Sequence, residues 1–195
     1  MVVADCTGHG VPGAFMTLIG VNLLDKIIKV DKILRPDLIL NALHIEVSSS
    51  LKQTVSASNN GMDMVVFVLD KTEGHLRLSF AGAKNNLFIW SNDELIELKG
   101  IRKSIGGFQS EDKVFEFQEI QLQKGDLIYL GSDGFEDQNN DKRKKLGRKI
   151  IKSTIQQYHH LALSQQKEIF ENILNEHMRG SSQRDDILWM GLKMK

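Results

Sequence analysis

The spacing of apolar residues changes period near Met62, and that change constrains the fold more than any other feature of the chain. Before it, Phe15, Leu18, Ile19, Val21, Leu23, Ile27 and Ile28 predict a helix over Gly13–Lys29. They cover more than one face, so this helix is expected to lie buried between layers. Arg35-Pro36-Asp37 starts a second helix. Ile39, Leu43, Val47 and Leu51 give it a single apolar stripe through Lys52, the pattern of a more exposed, amphipathic element. From Met62 onward apolar residues alternate. Met62–Asp70, His75–Ala81, Leu87–Ser91 and Glu94–Lys99 read as short strands, with turn signals at Lys71-Thr72-Glu73-Gly74 and Ser91-Asn92-Asp93. Val114–Ile120 alternates again, and Lys124-Gly125-Asp126 turns into the apolar strand Leu127–Leu130. Helices at about 146–158 and 164–178 and a closing strand, Ile187–Met194, complete the pattern. With Met1–Asp5 read as the end of a buried strand, the prediction is eight strands, four helices and no internal repeat. Helices grouped at both ends of an antiparallel meander imply one α+β layered domain over residues 1–195, not alternating βαβ units.

Composition removes several classes of function. The 195 residues carry 25 basic and 25 acidic side chains, which argues against a protein that grips nucleic acid through its phosphates. At 41% hydrophobic residues the chain can bury a real core. Cys6 is the single cysteine, so an intrachain disulfide and a thiolate zinc site are excluded, and a reducing, cytoplasmic setting is the expectation. Asp25 and Lys26 cut the first apolar region short of the roughly 20 residues a membrane helix needs, and no secretory leader pattern is present. No membrane contact is expected.

Chemistry is concentrated at predicted strand ends. Asp5 ends the first strand, Asp133 follows Leu127–Leu130, and Asp185-Asp186 precede the last strand. Carboxylates placed this way hold a hard divalent cation if their strands are neighbours, although aspartate before glycine, as in Asp133-Gly134, is also an ordinary turn residue. His9 is the imidazole near Asp5; it serves either as a general acid or as a loop-former between Gly8 and Gly10. Gly8-His9-Gly10-Val11-Pro12-Gly13 lacks the Lys-Ser/Thr of a phosphate cradle. Lys142-Arg143-Lys144-Lys145 reads as a solvated loop, His159-His160 as surface, and Trp90 and Trp189 as core.

Five blocks occur in order: Val3-Ala4-Asp5-Cys6-Thr7-Gly8-His9-Gly10-Val11-Pro12-Gly13-Ala14, Gly61-Met62-Asp63, Ala81-Gly82-Ala83, Tyr129-Leu130-Gly131-Ser132-Asp133-Gly134 and Arg184-Asp185-Asp186-Ile187. Together they resemble the SpoIIE branch of the PPM metal-dependent serine/threonine phosphatases, over nearly the whole chain. The resemblance implies a two-layer antiparallel β-sandwich flanked by helices, with two Mn2+ or Mg2+ ions at one end. On it, Asp5 matches the carboxylate that bridges both metals and Cys6 stands where a backbone carbonyl is a ligand. Asp133 and Asp185 match further ligands, with Asp186 in a supporting place. Asp5, Asp133 and Asp185 are thus the expected catalytic set, acting with a metal-activated water on a phosphoserine or phosphothreonine. Asp63 matches the Gly-Met-Asp block without a physical reason to be a ligand.

The resemblance also implies a bacterial signalling role, a STAS-type anti-sigma-factor antagonist as phosphoprotein substrate, and an upstream sensor domain. The helices at 13–29 and 36–52, which follow the Asp5 loop, are the expected surface through which such a sensor acts. The family's Gly-Gly-Asp-Phe/Tyr segment is not found in these residues. The chain is therefore expected to be N-terminally truncated, with open sheet edges, weak metal binding and a tendency to form a homodimer. A catalytically impaired pseudophosphatase or partner-binding module is the alternative reading.

Overall fold

Alternation in the middle of the chain produces two antiparallel sheets, each lined by helices from its own stretch of sequence. The computed structural model describes residues 1–56, 59–72, 75–107 and 114–195. They fall into two compact units, one of residues 1–86 and 98–121, the other of residues 87–97 and 122–195. The first contains β1 (Val2–Cys6), α1 (Gly10–Asp25), α2 (Pro36–Ser50), α3 (Gln53–Ser56), β2 (Gly61–Thr72) and β3 (His75–Ala83). The second takes up β4 (Leu87–Ser91) and β5 (Glu94–Leu98), after which β6 (Ile105–Gly106) and β7 (Gln118–Leu122) return to the first sheet. The remainder of the second unit is β8 (Leu127–Gly131), α4 (Gly134–Asp137), α5 (Arg148–Tyr158), α6 (Leu163–His177) and β9 (Trp189–Lys193). Strand order is β1-β2-β3-β7 in the first sheet, with β6 also on β2, and β5-β4-β8-β9 in the second.

In the first unit the two-residue period sorts β2 into two faces. Met62, Met64 and Val66 join Ala81 and Ala83 of β3 and pack with Met16, Ile27, Ile39, Leu40, Leu43 and Val47 from the helices. Val65 and Phe67 point the other way and are buried as well. In the second unit Phe88, Leu127 and Tyr129 pack with Ile151, Ile155 and Phe170 of α5 and α6. The Tyr129 hydroxyl donates to Gln166 Oε1 at 2.6 Å, giving a buried phenol its partner.

Several expectations change. The first helix begins at Gly10 and continues past Asp25 and Lys26 as a π-helical turn, Lys26–Val30, so those charges do not interrupt it. By length and composition alone, Gly10–Val30 is long and apolar enough to cross a membrane. It is not buried between layers: in α1 Gly13, Met16 and Gly20 are covered, while Val11, Phe15, Leu18 and Val21 are 54–69% exposed. A helix that is apolar all round does not reveal which side meets the sheet. Here the small Gly20 lets α1 settle on Met62, whose Cε would stand 3.0 Å from a Cβ at that position. The second helix is the more buried one, covering Pro36, Asp37, Ile39, Leu40, Leu43 and Val47.

Residues 114–117 are not a strand. Phe115 is 2% exposed in the helix-side core, its N–H donates to Asn41 Oδ1 at 3.3 Å, and Arg35 lies over the Phe117 ring at 5.2 Å. Docking on α2 replaces ladder pairing there. The short β6, α3 and α4 carry too few residues to show a period. Of the predicted turn at 71–74, Glu73 and Gly74 lie outside the described residues. Lys142–Lys145 is exposed, with Lys145 paired to Asp137 at 2.6 Å, and His159 stacks on Trp90 with ring centroids 3.9 Å apart.

Asp37 supplies a test of how α2 is held. Burial alone would raise its carboxyl, but the Arg35 guanidinium, bonded through Nε at 2.8 Å and Nη2 at 2.7 Å, reverses the sign and leaves it below the ordinary aspartate value. A carboxyl depressed in the folded state stabilises above its unfolded pKa of about 3.9, and that stability is lost as pH falls through the folded value. Denaturant titrations at about pH 5 and about pH 3 should therefore show a smaller acid-induced loss for Asp37→Asn than for the parent.

Candidate active site

Asp5 is the fourth of the five residues of β1, half-buried, and lies in register with Asp63 of β2. Directly opposed residues of an antiparallel pair share a face, with Cβ atoms about 4.5–5.5 Å apart, where like charges repel. Asp63 is compensated from its other side: Ser104 Oγ donates to Oδ1 at 2.5 Å, and Lys84 Nζ pairs with Oδ2 at 3.2 Å. The register is locked just beyond Asp5. The Thr7 hydroxyl accepts the Gly61 N–H at 2.7 Å and donates to the Gly61 carbonyl at 3.0 Å, and the Thr7 N–H meets the same carbonyl at 2.9 Å.

The loop then turns through Gly8 and Gly10, both at positive φ, into α1. A Cβ on Gly13 would stand 2.6 Å from the Gly8 carbonyl oxygen, so the first turn of α1 rests directly on the loop. His9 is the N-cap of α1, with extended backbone, an exposed ring and no capping bond from its side chain. Cys6 is a half-buried free thiol. Burial pushes it up, a hydrogen bond with Thr17 opposes this, and the neighbouring Asp5 charge pushes it up again, so the net shift is away from a thiolate.

In the second unit, β8 and β9 bring the remaining carboxylates to one corner. Their ladder ends at Gly131↔Trp189, and the chain beyond is stitched by one hydroxyl. Ser132 Oγ donates to the Asp186 carbonyl at 2.9 Å and accepts the Leu188 N–H at 3.1 Å, while the Ser132 N–H donates to the Leu188 carbonyl at 3.0 Å. A Cβ on Gly134 would collide with the Asp186 carbonyl oxygen, which explains glycine after Asp133. Asp133 is half-buried at the N-cap of α4; Asp185 and Asp186 are exposed, with the Asp186 N–H bonded to Asp185 Oδ1 at 2.8 Å.

The structure thus places Asp133 beside the Asp185-Asp186 segment in one unit and Asp5 opposite Asp63 in the other. Among the described residues, no group of three or more His, Cys, Asp or Glu side chains stands together as a ready metal site. The donors fit a hard cation in kind, since carboxylate and carbonyl oxygens suit Mg2+ or Mn2+. The sequence alone gives Asp63 no role and does not single out Lys84 or Ser104. The usable signal was the strand phase that puts Asp5 and Asp63 on one face.

The family described as stage II sporulation protein E (SpoIIE) matches residues 1–195. Among solved structures, the SiaA-PP2C domain of Pseudomonas aeruginosa is 31% identical, with a TM-score of 0.83 over 100% of this chain and 75% of that one. The PP2C phosphatase domain and regulatory-domain fragment of SpoIIE from Bacillus subtilis is 18% identical, with a TM-score of 0.70 over 99% and 53% of the two chains. The catalytic domain of the phosphatase PstP, in complex with two manganese ions, is 12% identical, with a TM-score of 0.63 over 100% and 87%. At the latter two identities the likeness is one of fold. No curated protein sequence matches this chain at the significance required.

Ser132→Ala removes the hydroxyl that joins both sides of the second-unit corner. It should cost about 1 kcal/mol in a denaturant titration and speed hydrogen exchange at the Leu188 amide, with little change at amides of the first sheet.

Proposed function

The chain belongs to the SpoIIE family of PPM-type serine/threonine phosphatases, and from that premise we propose that it hydrolyses a phosphoserine or phosphothreonine of a protein substrate with Mn2+ or Mg2+ as cofactor. Membership carries the general activity, a PPM-like phosphatase acting on a phosphoprotein. The metal requirement and the identity of the substrate are the proposal. The observation that supports it most directly is the placement of aspartates at strand ends that are immobilised by neighbouring hydroxyls, Thr7 after Asp5 and Ser132 before Asp133.

In this reading Asp5, Asp133 and Asp185 are the metal-binding carboxylates, the Cys6 main chain adds a carbonyl oxygen, and Asp186 and His9 are supporting groups. Divalent cations held there supply charge against the phosphoryl oxygens and a water of lowered pKa. The contribution of the chain is positional. Thr7 and the β1–β2 register keep Asp5 at its station, and Ser132 and Gly134 bring Asp133 close to the 185–188 backbone. Reactant geometry of this kind is worth much of a catalytic rate, because a displacement of about 1 Å can cost about 100-fold. The Cys6 thiol, pushed upward by burial, is not a nucleophile.

Membership of the SpoIIE family and the likeness to SpoIIE and SiaA support a bacterial signalling context, with a STAS-type phosphoprotein as substrate, a cytoplasmic setting and a sensor acting through α1 and α2. The tight Gly8–Gly13 approach, which couples α1 to the Asp5 loop, favours that route of control. A non-catalytic partner-binding module is the second reading, favoured by the lack of a preassembled three-ligand group among the described residues.

One assay separates them. Hydrolysis of a phosphoserine peptide or p-nitrophenyl phosphate should require added Mn2+ or Mg2+, stop with chelator, and fall by about 100-fold or more in Asp133→Ala. Metal-independent turnover that survives Asp133→Ala would overturn the mechanism; absence of turnover with either metal favours the binding module.

A further inference from the structure

Lys84 occupies a place where lysine is a costly choice. It follows the last residue of β3 at φ +58, the left-handed region that glycine or asparagine enters easily and other side chains enter rarely. The surrounding backbone leaves it little freedom: its N–H donates to the Ile101 carbonyl at 2.7 Å, the next amide bonds back to Ala83, and Gly82 and Gly100 are packed too closely for any Cβ. Lys32, Lys52 and Arg143 share this left-handed φ, so what distinguishes Lys84 is the rigidity of its surroundings and what its side chain reaches.

The side chain reaches Asp63, and the strand order makes the setting specific. Met64 pairs with Ala83, so Lys84 comes opposite Asp63 on the β3 side of β2, as Asp5 does on the β1 side. Asp5, Asp63 and Lys84 therefore form a row across three neighbouring strand positions. Ser104, which holds the other oxygen of Asp63, is fixed by the strand that follows it: Ile105 is fully buried, and the Gly106 N–H donates to His44 Nδ1 at 3.0 Å. The Asp63 carboxylate is 13% exposed, whereas the Lys84 side chain is 50% exposed. An ammonium has three donors, and the ion pair to Asp63 Oδ2 uses one of them.

We infer that Lys84 binds the phosphoryl group of the substrate, with Asp63 and Ser104 as the positioning residues that hold its ammonium in the row that Asp5 begins. This rests on the proposed phosphatase reading, which puts Asp5 at the reacting centre. A phosphate dianion needs donors as well as cations, and a lysine tethered by a half-buried carboxylate brings one to the anion with much of its side-chain freedom already spent.

The test compares Lys84→Met and Lys84→Arg, both of which keep the same backbone demand at φ +58, so folding is matched. Calorimetric titration of the Mn2+-loaded protein with inorganic phosphate should show binding weakened about 10- to 100-fold in Lys84→Met and largely restored in Lys84→Arg. Mn2+ affinity, read by electron paramagnetic resonance of the free ion, should be no weaker in Lys84→Met, since a cation has been removed beside carboxylates. Unchanged phosphate binding, no phosphate binding by the parent protein, or a joint fall of phosphate and Mn2+ affinity would each overturn the inference. Turnover of p-nitrophenyl phosphate by the parent keeps the two readings apart. Turnover with Lys84-independent phosphate binding removes only the role of Lys84, and Lys84-dependent phosphate binding without turnover removes only the phosphatase.

Discussion

The register of β1 on β2 is the constraint on which the rest of the first unit depends. Because strand side chains alternate, a slip of β1 by one residue would carry Val2 and Cys6 away from the helix-side core and turn Asp5 into it, out of line with Asp63. Apolar burial on both faces of β2 penalises such a slip strongly, and Thr7 pins the remaining freedom at the strand end with three hydrogen bonds to the Gly61 peptide groups. Packing therefore decides where the candidate carboxylates go. The same alternation that builds the core fixes the chemistry on its rim.

The second unit reaches an equivalent result by a different device. Here the aspartates lie outside the ladder, where strand pairing no longer dictates their position. Glycine supplies close approach and serine supplies the stitch: Gly131 and Gly134 leave no room for a Cβ against the 186–188 backbone, and Ser132 bonds to both Asp186 and Leu188. This accounts for Gly-Ser-Asp-Gly as a unit in physical terms. Gly131, Ser132 and Gly134 each have a contact that a larger or less polar residue would break.

Much of this was legible in the sequence where a period had room to repeat. The strand over Leu87–Ser91 is found at its predicted bounds, and those over Met62–Asp70 and Leu127–Leu130 within two residues of theirs. The sequence misleads where the deciding fact is tertiary. An all-apolar α1 gave no sign that Val11, Phe15, Leu18 and Val21 would stay exposed in this chain, and the alternating Val114–Ile120 run gave no sign that Asn41 and Arg35 would draw residues 115–117 onto α2. At the site, aspartates at strand ends could be proposed from pattern. Lys84 and Ser104 could not, because their meaning comes from a shared partner, Asp63, 21 and 41 positions away in the chain.

The facing pair Asp5–Asp63 also shows where stability is given up. Opposed carboxylates weaken a ladder, and a lysine at positive φ adds backbone strain of its own; neither is needed to bury Met62 or Val65. A sequence optimised for folding alone would replace the Asp63–Lys84 pair by apolar or small residues, since ion pairs at half-buried positions return little net stability. The chain instead spends Ser104, Lys84 and the rigid Gly82–Gly100 crossing on holding one carboxylate in a defined position next to another. Local choices that oppose the fold, and are then braced by several independent contacts, mark positions kept for what they do. By that criterion the rim of β1, β2 and the turn after β3 is the part of the first unit whose residues are chosen against its own stability.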